Sequence, residues 1–191
     1  MIKYFYIVFL LVVLLTASAS AQNFESGAFI APVFKYTRLI NQSAFVTGIK
    51  AGWIINKKFV LGAGYYVSTS NVKTPYVDEQ NNQNVMMNFN YGGLEFEYLL
   101  LNDGRFNLSL DMLLAGGGEE FYIRDKSKNY GSANLLVWEP QLNLEIKLYS
   151  WLHADAGVSY RKVSNNYVLY NVSKNDLQGL NILLTFKIGK Y

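Results

Sequence analysis

Three side chains that could perform hydrolytic chemistry lie close together in the last quarter of the sequence: His153, Asp155 and Ser159. In a β-strand, residues separated by an even number share a face, so a single strand would present all three together. A histidine beside a carboxylate and a serine is typical of acyl-transferring and hydrolytic enzymes. Along one strand, however, Ser159 would lie about 20 Å from His153, and a nucleophile must come within about 3 Å of its base. We therefore expect no catalytic residue; a lipid-modifying enzyme built around His153 is the alternative.

Two acidic segments could offer hard oxygen ligands to a cation such as Ca²⁺: Asp78-Glu79 and Glu119-Glu120, the latter close to Asp125. Their spacing matches no defined calcium-binding loop, and solvated loop tips are the favoured interpretation. The chain has no cysteine and one histidine, which excludes disulfides and thiolate metal sites. We expect neither a metal nor a cofactor.

The overall charge excludes one class of partner. The chain has 17 Lys and Arg residues against 14 Asp and Glu residues, a formal net charge of +3. A nucleic-acid-binding protein needs a clustered basic face, and this balance predicts none.

The first 21 residues have the pattern of a secretory signal peptide. Lys3 gives a positive start, residues 4–15 are apolar or aromatic, and small residues follow up to Ala21. The predicted mature domain is 22–191. It contains no apolar stretch of transmembrane-helix length, so it could cross a membrane only as a closed β-barrel.

Apolar and polar residues alternate with a period of two along most of this domain, which indicates β-strands. In the clearest segment, 138–148, Leu142, Leu144 and Ile146 alternate with Asn143 and Glu145. The eight predicted strands span 28–36, 47–55, 59–67, 87–98, 106–114, 138–148, 152–160 and 180–188. The fourth changes phase, because its apolar residues are odd-numbered up to Tyr91 and even-numbered from Leu94. A β-bulge at Gly92-Gly93 would keep them on one face.

The connections alternate in length, which predicts an up-and-down topology. Tight turns are expected at 56–58, 102–105 and 149–151, and longer loops at 37–44, 69–84, 116–132 and 162–179. Short turns at one end and long loops at the other are typical of outer-membrane barrels. The predicted fold is thus an all-β, eight-stranded antiparallel transmembrane barrel with both termini at the short-turn end.

The polar face of these strands is rich in charge of both signs. In a membrane barrel it would line the lumen and form a paired network. Its predicted members are Glu95, Glu97, Asp111, Glu139, Glu145, Asp155, Lys35, Lys50, Lys147, Arg161, Lys187 and His153.

Aromatic residues lie near the predicted strand ends, where an outer-membrane barrel places its interfacial girdles. The predicted girdle residues are Tyr36, Trp53, Tyr65, Tyr91, Tyr98, Trp138, Trp151 and Tyr160. Together with the signal peptide, they favour a membrane barrel over a soluble lipophile-binding barrel.

The mature chain resembles the small outer-membrane β-barrel proteins of Gram-negative bacteria, in the OmpA/OmpX-type size class. Residues 48–65 and 90–98 resemble segments of uncharacterised Bacteroidota barrels. The last strand, with Phe186, Ile188 and a terminal Tyr191, resembles the signal read by the barrel-assembly machinery, although Tyr191 is out of phase with the other two.

The resemblance implies an integral outer-membrane protein with both termini in the periplasm. Its expected partners are outer-membrane lipid, the assembly machinery during insertion, and an extracellular ligand on the long loops. The favoured function is a non-enzymatic structural or surface-interaction role with a plugged lumen. A lipid-modifying enzyme, a narrow channel for small or hydrophobic solutes and a soluble periplasmic lipophile-binding barrel are the alternatives.

Overall fold

The computed structural model describes residues 25–78, 83–102, 104–122, 129–164 and 170–191. The predicted signal peptide, 1–21, lies outside these residues. Within them the chain is almost entirely β-strand, and none of its helices is long and apolar enough to cross a membrane. The elements are β1 Ser26–Leu39, β2 Gln42–Ile55, β3 Phe59–Ser68, β4 Val72–Asp78, β5 Gln83–Asn102, β6 Phe106–Tyr122, β7 Asn129–Tyr149, β8 Leu152–Ser164, α1 Lys174–Leu177 and β9 Gly179–Lys190.

Eight of the nine strands form a closed antiparallel barrel, which confirms the predicted fold class. Sequential strands pair with each other except β3 and β4, β1 pairs with β9, and β3 pairs with β5 to complete the ring. The additional strand, β4, lies within the predicted loop 69–84 and pairs only with the first part of β5. We call the end near Ile55, Arg105 and Ser150 the turn end, and the opposite end the loop end.

The first predicted long loop, 37–44, is instead a tight turn. β1 continues to Leu39 and β2 begins at Gln42, so only Ile40 and Asn41 connect them. Both have positive φ, 49° and 58°, the conformation of the two-residue hairpin turns that match strand twist. Asparagine tolerates this conformation, and burial of the Ile40 side chain at the loop end offsets its backbone strain there.

The apolar face of the strands points outward, as a membrane barrel requires. Large side chains such as Ile49, Leu94 and Leu142 alternate with buried inward-facing residues along their strands. Tyr36 lies eight residues along β1 from Ala28, the cross-strand partner of Trp53. At about 3.4 Å per residue and a tilt of about 40°, these two aromatic levels are about 21 Å apart in height, close to the apolar band of an outer-membrane barrel.

The predicted β-bulge at Gly92-Gly93 is wrong, and Tyr91 does not face lipid. The pairing of β5 with β3 runs without interruption through Tyr91↔Tyr66, Gly92↔Tyr65 and Leu94↔Ala63. Tyr91 therefore keeps its inward orientation and is completely buried. The apolar residues of β5 change phase in the sequence because the inward-facing residues change: they are apolar at the loop end and charged farther along the strand.

The loop end of the lumen contains a hydrophobic core, which we call the apolar cap. Met87, Phe89 and Phe121 of β5 and β6 pack there with Val172 and Leu177. Leu177 belongs to α1, a single helical turn that begins with a capping box between Ser173 and Asp176. Residues 170–178, which precede β9, thus fold back over the barrel.

The assigned faces predict very different effects for two adjacent positions of β7. Leu144 is 45% exposed on the outer wall, and Asn143 is buried in the lumen. Leu144→Arg should cost about 2–4 kcal/mol of folding free energy, because arginine near the midplane must be taken into hydrocarbon. Asn143→Ala should cost much less. Urea titrations of both variants folded into lipid vesicles would measure this, and equal costs would contradict the assigned faces.

Candidate functional site

The candidate site is the polar interior of the barrel. Of the twelve residues predicted to line the lumen, eleven are buried there and at most 5% exposed. Lys147 is the exception: it lies exposed at the turn end of β7. The eleven buried residues separate into a central cluster, a turn-side cluster and Arg161 below the apolar cap.

The central cluster is built around one carboxylate, that of Glu139 on β7. Lys35 Nζ on β1 lies 2.8 Å from Glu139 Oε1, and neither side chain is exposed to solvent. Tyr91 on β5 donates to the carboxylate at 3.1 Å, Ser159 on β8 at 2.5 Å and Asn181 on β9 at 3.2 Å. Side chains from five strands therefore meet at one group.

Two tyrosines that were not predicted to belong to this site complete it. Lys35 Nζ lies 3.8 Å from the centroid of the Tyr66 ring, which itself stacks on the Tyr91 ring. The Tyr66 hydroxyl donates to Glu95. Gly64 leaves room for this contact, because a Cβ there would lie 2.6 Å from Glu95 Oε1 and 2.8 Å from the Tyr66 hydroxyl and would displace these side chains. Tyr91 lies four residues before Glu95, and residues separated by an even number share a face of a regular strand. Without an assumed bulge, the sequence would have placed Tyr91 on the inward face with Glu95.

The turn-side cluster contains more acids than bases. Lys187 Nζ lies 2.7 Å from Glu97, 2.8 Å from Glu145 and 2.9 Å from Asp155. Lys50 Nζ lies 3.3 Å from Glu95, 3.5 Å from Asp111 and 4.0 Å from Glu97.

Because Glu97 approaches both lysines, the two sets form one network. Five carboxyl groups here surround two ammonium groups.

His153 belongs to this cluster and does not form a catalytic triad. Its Nδ1 lies 3.0 Å from Glu145, and its ring stacks on Tyr191 with centroids 3.6 Å apart. Ser159 donates to Glu139 and accepts from Asn181, and Asp155 lies against Lys187. His153, Asp155 and Ser159 were predicted to share one face of a strand. Their partners are three different residues: Glu145, Lys187 and Glu139.

The two ends of the lumen are covered differently. At the turn end, Tyr191 folds inward against His153 and Phe29, beside a cavity of about 250 Å³ bordered by Lys57 and Lys147. Toward the loop end, Arg161 Nε donates to the Leu177 carbonyl at 2.7 Å. Arg161 also donates to Asn181 at 3.3 Å and to Thr37 at 3.2 Å, and so fixes α1 to the wall.

The predicted girdle residues other than Tyr91 all face outward. They are Tyr36, Trp53, Tyr65, Tyr98, Trp138, Trp151 and Tyr160, each 40–53% exposed.

In the predicted assembly signal, Ile188 is also exposed on the outer wall and Phe186 is half-buried, whereas Tyr191 turns into the lumen. This placement explains why Tyr191 is out of phase. Its recognition by the assembly machinery stays a prediction.

The two acidic loop segments are only partly described. Asp78 and Glu119 are buried at the loop end, and Glu120 is exposed. The expectation of solvated tips is therefore wrong for Asp78 and Glu119, because Asp78 ends the unpredicted strand β4 and Glu119 lies where β6 continues beyond its predicted limit. Glu79 and Asp125 lie outside the described residues.

No protein-family model matches the sequence, and no curated protein is similar to it in sequence. The fold is nevertheless that of known small barrels. Neisserial surface protein A is 11% identical, with 87% of this chain and 99% of that chain covered and a TM-score of 0.62. The N-terminal β-barrel domain of Pseudomonas aeruginosa OprF is 12% identical, with 84% and 96% covered and a TM-score of 0.56.

These similarities confirm the predicted fold: the chain has the fold of the small outer-membrane β-barrels. Similarity to Bacteroidota barrels in particular stays a prediction.

The central cluster predicts strong coupling between Lys35 and Glu139. Lys35→Met would leave a buried carboxylate without its cation and should cost about 3–5 kcal/mol. Adding Glu139→Gln to that variant should restore much of the loss, because the amide carries no charge, its oxygen can still accept from Ser159, and its NH2 group can donate to the Tyr91 hydroxyl. A double-mutant cycle on urea unfolding in vesicles measures the coupling. Additive costs would show that the two groups do not interact.

Proposed function

We propose that this protein is a non-enzymatic outer-membrane barrel with a structural or surface-interaction role, and that its lumen is plugged. The observation that carries the proposal is the filled interior: a cross-linked polar network between the apolar cap and Tyr191. An eight-stranded barrel has an interior only about wide enough for side chains.

The environment of His153 argues against a lipid-modifying enzyme. Such an enzyme needs its base next to a nucleophile at the level of the lipid it modifies. His153 instead lies inside the lumen near the turn end, with Glu145 on Nδ1 and Tyr191 over its ring.

The remaining alternatives fit the geometry less well. A soluble lipophile-binding barrel would turn its apolar face inward, whereas here residues such as Phe34, Leu94 and Leu184 lie on the outer wall. A channel would need a continuous path, whereas here Lys35 and Glu139 meet across the middle of the lumen.

We infer an orientation with the turn end, and both termini, in the periplasm. Short turns face the periplasm and longer segments face outside in outer-membrane barrels. At the loop end β5, β6 and β7 continue past the level of Tyr65, to Gln83, Tyr122 and Asn129. An extracellular ligand would bind this extension, outer-membrane lipid surrounds the wall, and the assembly machinery inserts the chain.

The location is tested by fractionation. The mature protein should be recovered with the outer membrane and extracted only by detergent. It should also migrate differently on gels before and after boiling, since a closed barrel resists detergent until heated. A matched sample carrying Leu144→Arg should show less of the folded band. Recovery of wild-type protein in the soluble periplasm would contradict the assignment.

The plug is tested by electrical recording. Purified protein in planar bilayers should give no steady single-channel current, with a porin as the positive control. Glu145→Gln should lower thermal stability, because Glu145 accepts from Asn107 and Lys187, and should leave the conductance near zero. Large stable currents from wild-type protein would favour the channel instead.

A further inference from the structure

The turn-side cluster holds an excess of acid that its own cations do not balance. Its ionisable groups are Glu95, Glu97, Asp111, Glu145, Asp155, Lys50, Lys187 and His153, all at most 5% exposed. With every carboxyl group ionised and the histidine neutral, five negative charges face two positive charges. Uncompensated charge away from water is costly, so a state with fewer charges is favoured.

The strand register concentrates this excess in two pairs of acids. Glu97 on β5 lies directly opposite Asp111 on β6, and Glu145 on β7 lies directly opposite Asp155 on β8. Side chains in such cross-strand positions are about 5 Å apart at Cβ, and like charges there repel.

Within each pair the glutamate accepts a short hydrogen bond from Lys187, and the aspartate has the longer contact with an ammonium group, 3.5 Å for Asp111 and 2.9 Å for Asp155. Lys187 donates to both Glu97 and Glu145, and Glu145 also accepts from Asn107. Asp155 lies near Lys187, but neither of its oxygens has a hydrogen-bond partner among the described residues.

Asp111 is only slightly better placed. It accepts from Ser109 at 2.9 Å and from Lys50 at 3.5 Å. Protonating these two aspartates therefore costs the least free energy and relieves the most repulsion between the paired carboxylates.

We propose that the turn-side cluster is a proton-binding site, occupied at neutral pH, with one proton held by each acid pair and carried on Asp111 and Asp155. Each proton comes from water and forms an O–H bond on a carboxylate oxygen. The Asp155 hydroxyl so formed becomes a donor toward Glu145 across the strand pair. The turn-end cavity, lined by Glu97, Glu145 and His153, connects the site with solvent.

Other ionisable groups also face the two acid pairs and influence how these pairs titrate. From β2, β5 and β9 these are Lys50, Glu95 and Lys187, from β8 His153, and from the C-terminus Tyr191. Tyr66 of β3 reaches the cluster through Glu95. The Lys35–Glu139 pair lies farther from the turn end and is balanced one to one.

The sign of the pH dependence follows from proton counting. Above about pH 5 the carboxyl groups of an unfolded chain are ionised, so the folded state binds more protons than the unfolded state. Stability therefore decreases as pH rises. The wild-type midpoint of the heat-induced gel shift should fall by several degrees between about pH 6 and about pH 9.

Asparagine is the neutral isostere of a protonated aspartate and provides the decisive variants. Asp111→Asn and Asp155→Asn, alone and together, should raise the midpoint at about pH 8 and flatten its dependence on pH. The matched control is Glu139→Gln, which removes a carboxylate from a balanced pair and should lower the midpoint throughout. If the aspartate variants lower the midpoint as Glu139→Gln does, and retain the wild-type slope, the proposal is wrong.

Two further measurements distinguish a bound proton from a folding defect and from a bound metal ion. Unfolding wild-type protein with urea at about pH 8 in weak buffer should release about one to two protons, and the double Asn variant should release fewer. No difference in release would overturn the proposal even if the variants fold poorly. At constant ionic strength and pH, replacing sodium by tetramethylammonium should leave the midpoint unchanged. A midpoint that depends on sodium would assign the site to an alkali-metal ion instead.

Discussion

The interior of a narrow membrane barrel has almost no room for water, and this constraint governs the inside of the molecule. Most polar groups that point inward therefore pair with a side chain on another strand, because lipid supplies no partner and water reaches only the turn-end cavity. The carboxylate of Glu139 shows the outcome most completely, with donors from four other strands converging on it. Where partners run short, as around Asp155, the structure carries a buried carboxyl group that accepts no hydrogen bond from the described residues and that a proton would neutralise.

The lumen consequently has two parts with different chemistry. Near the turn end, charges of both signs form a network around Lys187 and Lys50. Toward the loop end, Phe89 and Phe121 replace charge with apolar packing, and Arg161 joins the two parts through the Leu177 carbonyl. The outer wall carries large apolar side chains such as Leu94 and Leu142, and beside the apolar cap it also carries the exposed Glu120. In the proposed surface-interaction role, specificity for an external partner would therefore depend on the loop-end extension and not on the interior.

The sequence predicted the barrel and its inward charges well, because a period of two assigns every residue of a strand once one face is known. Glu97, Glu145 and Lys187 could be placed in this way. Tyr91 could not, since an apolar residue was expected to face lipid, and that expectation fails where the lumen itself becomes apolar. The 37–44 turn was missed because isoleucine at position 40 gives no turn signal. Which acid faces which lysine depends on register and strand tilt, and neither is readable from one sequence.

The Lys35–Glu139 contact joins residues 104 positions apart, on the first and sixth strands of the barrel. A chain that inserted its hairpins into the bilayer one after another would hold Lys35 in hydrocarbon until the sixth barrel strand arrived. A lone ammonium group there is costly. The low-energy route is therefore concerted: the strands cross the membrane together with the closing of the ring, and a half-inserted chain has no stable resting state.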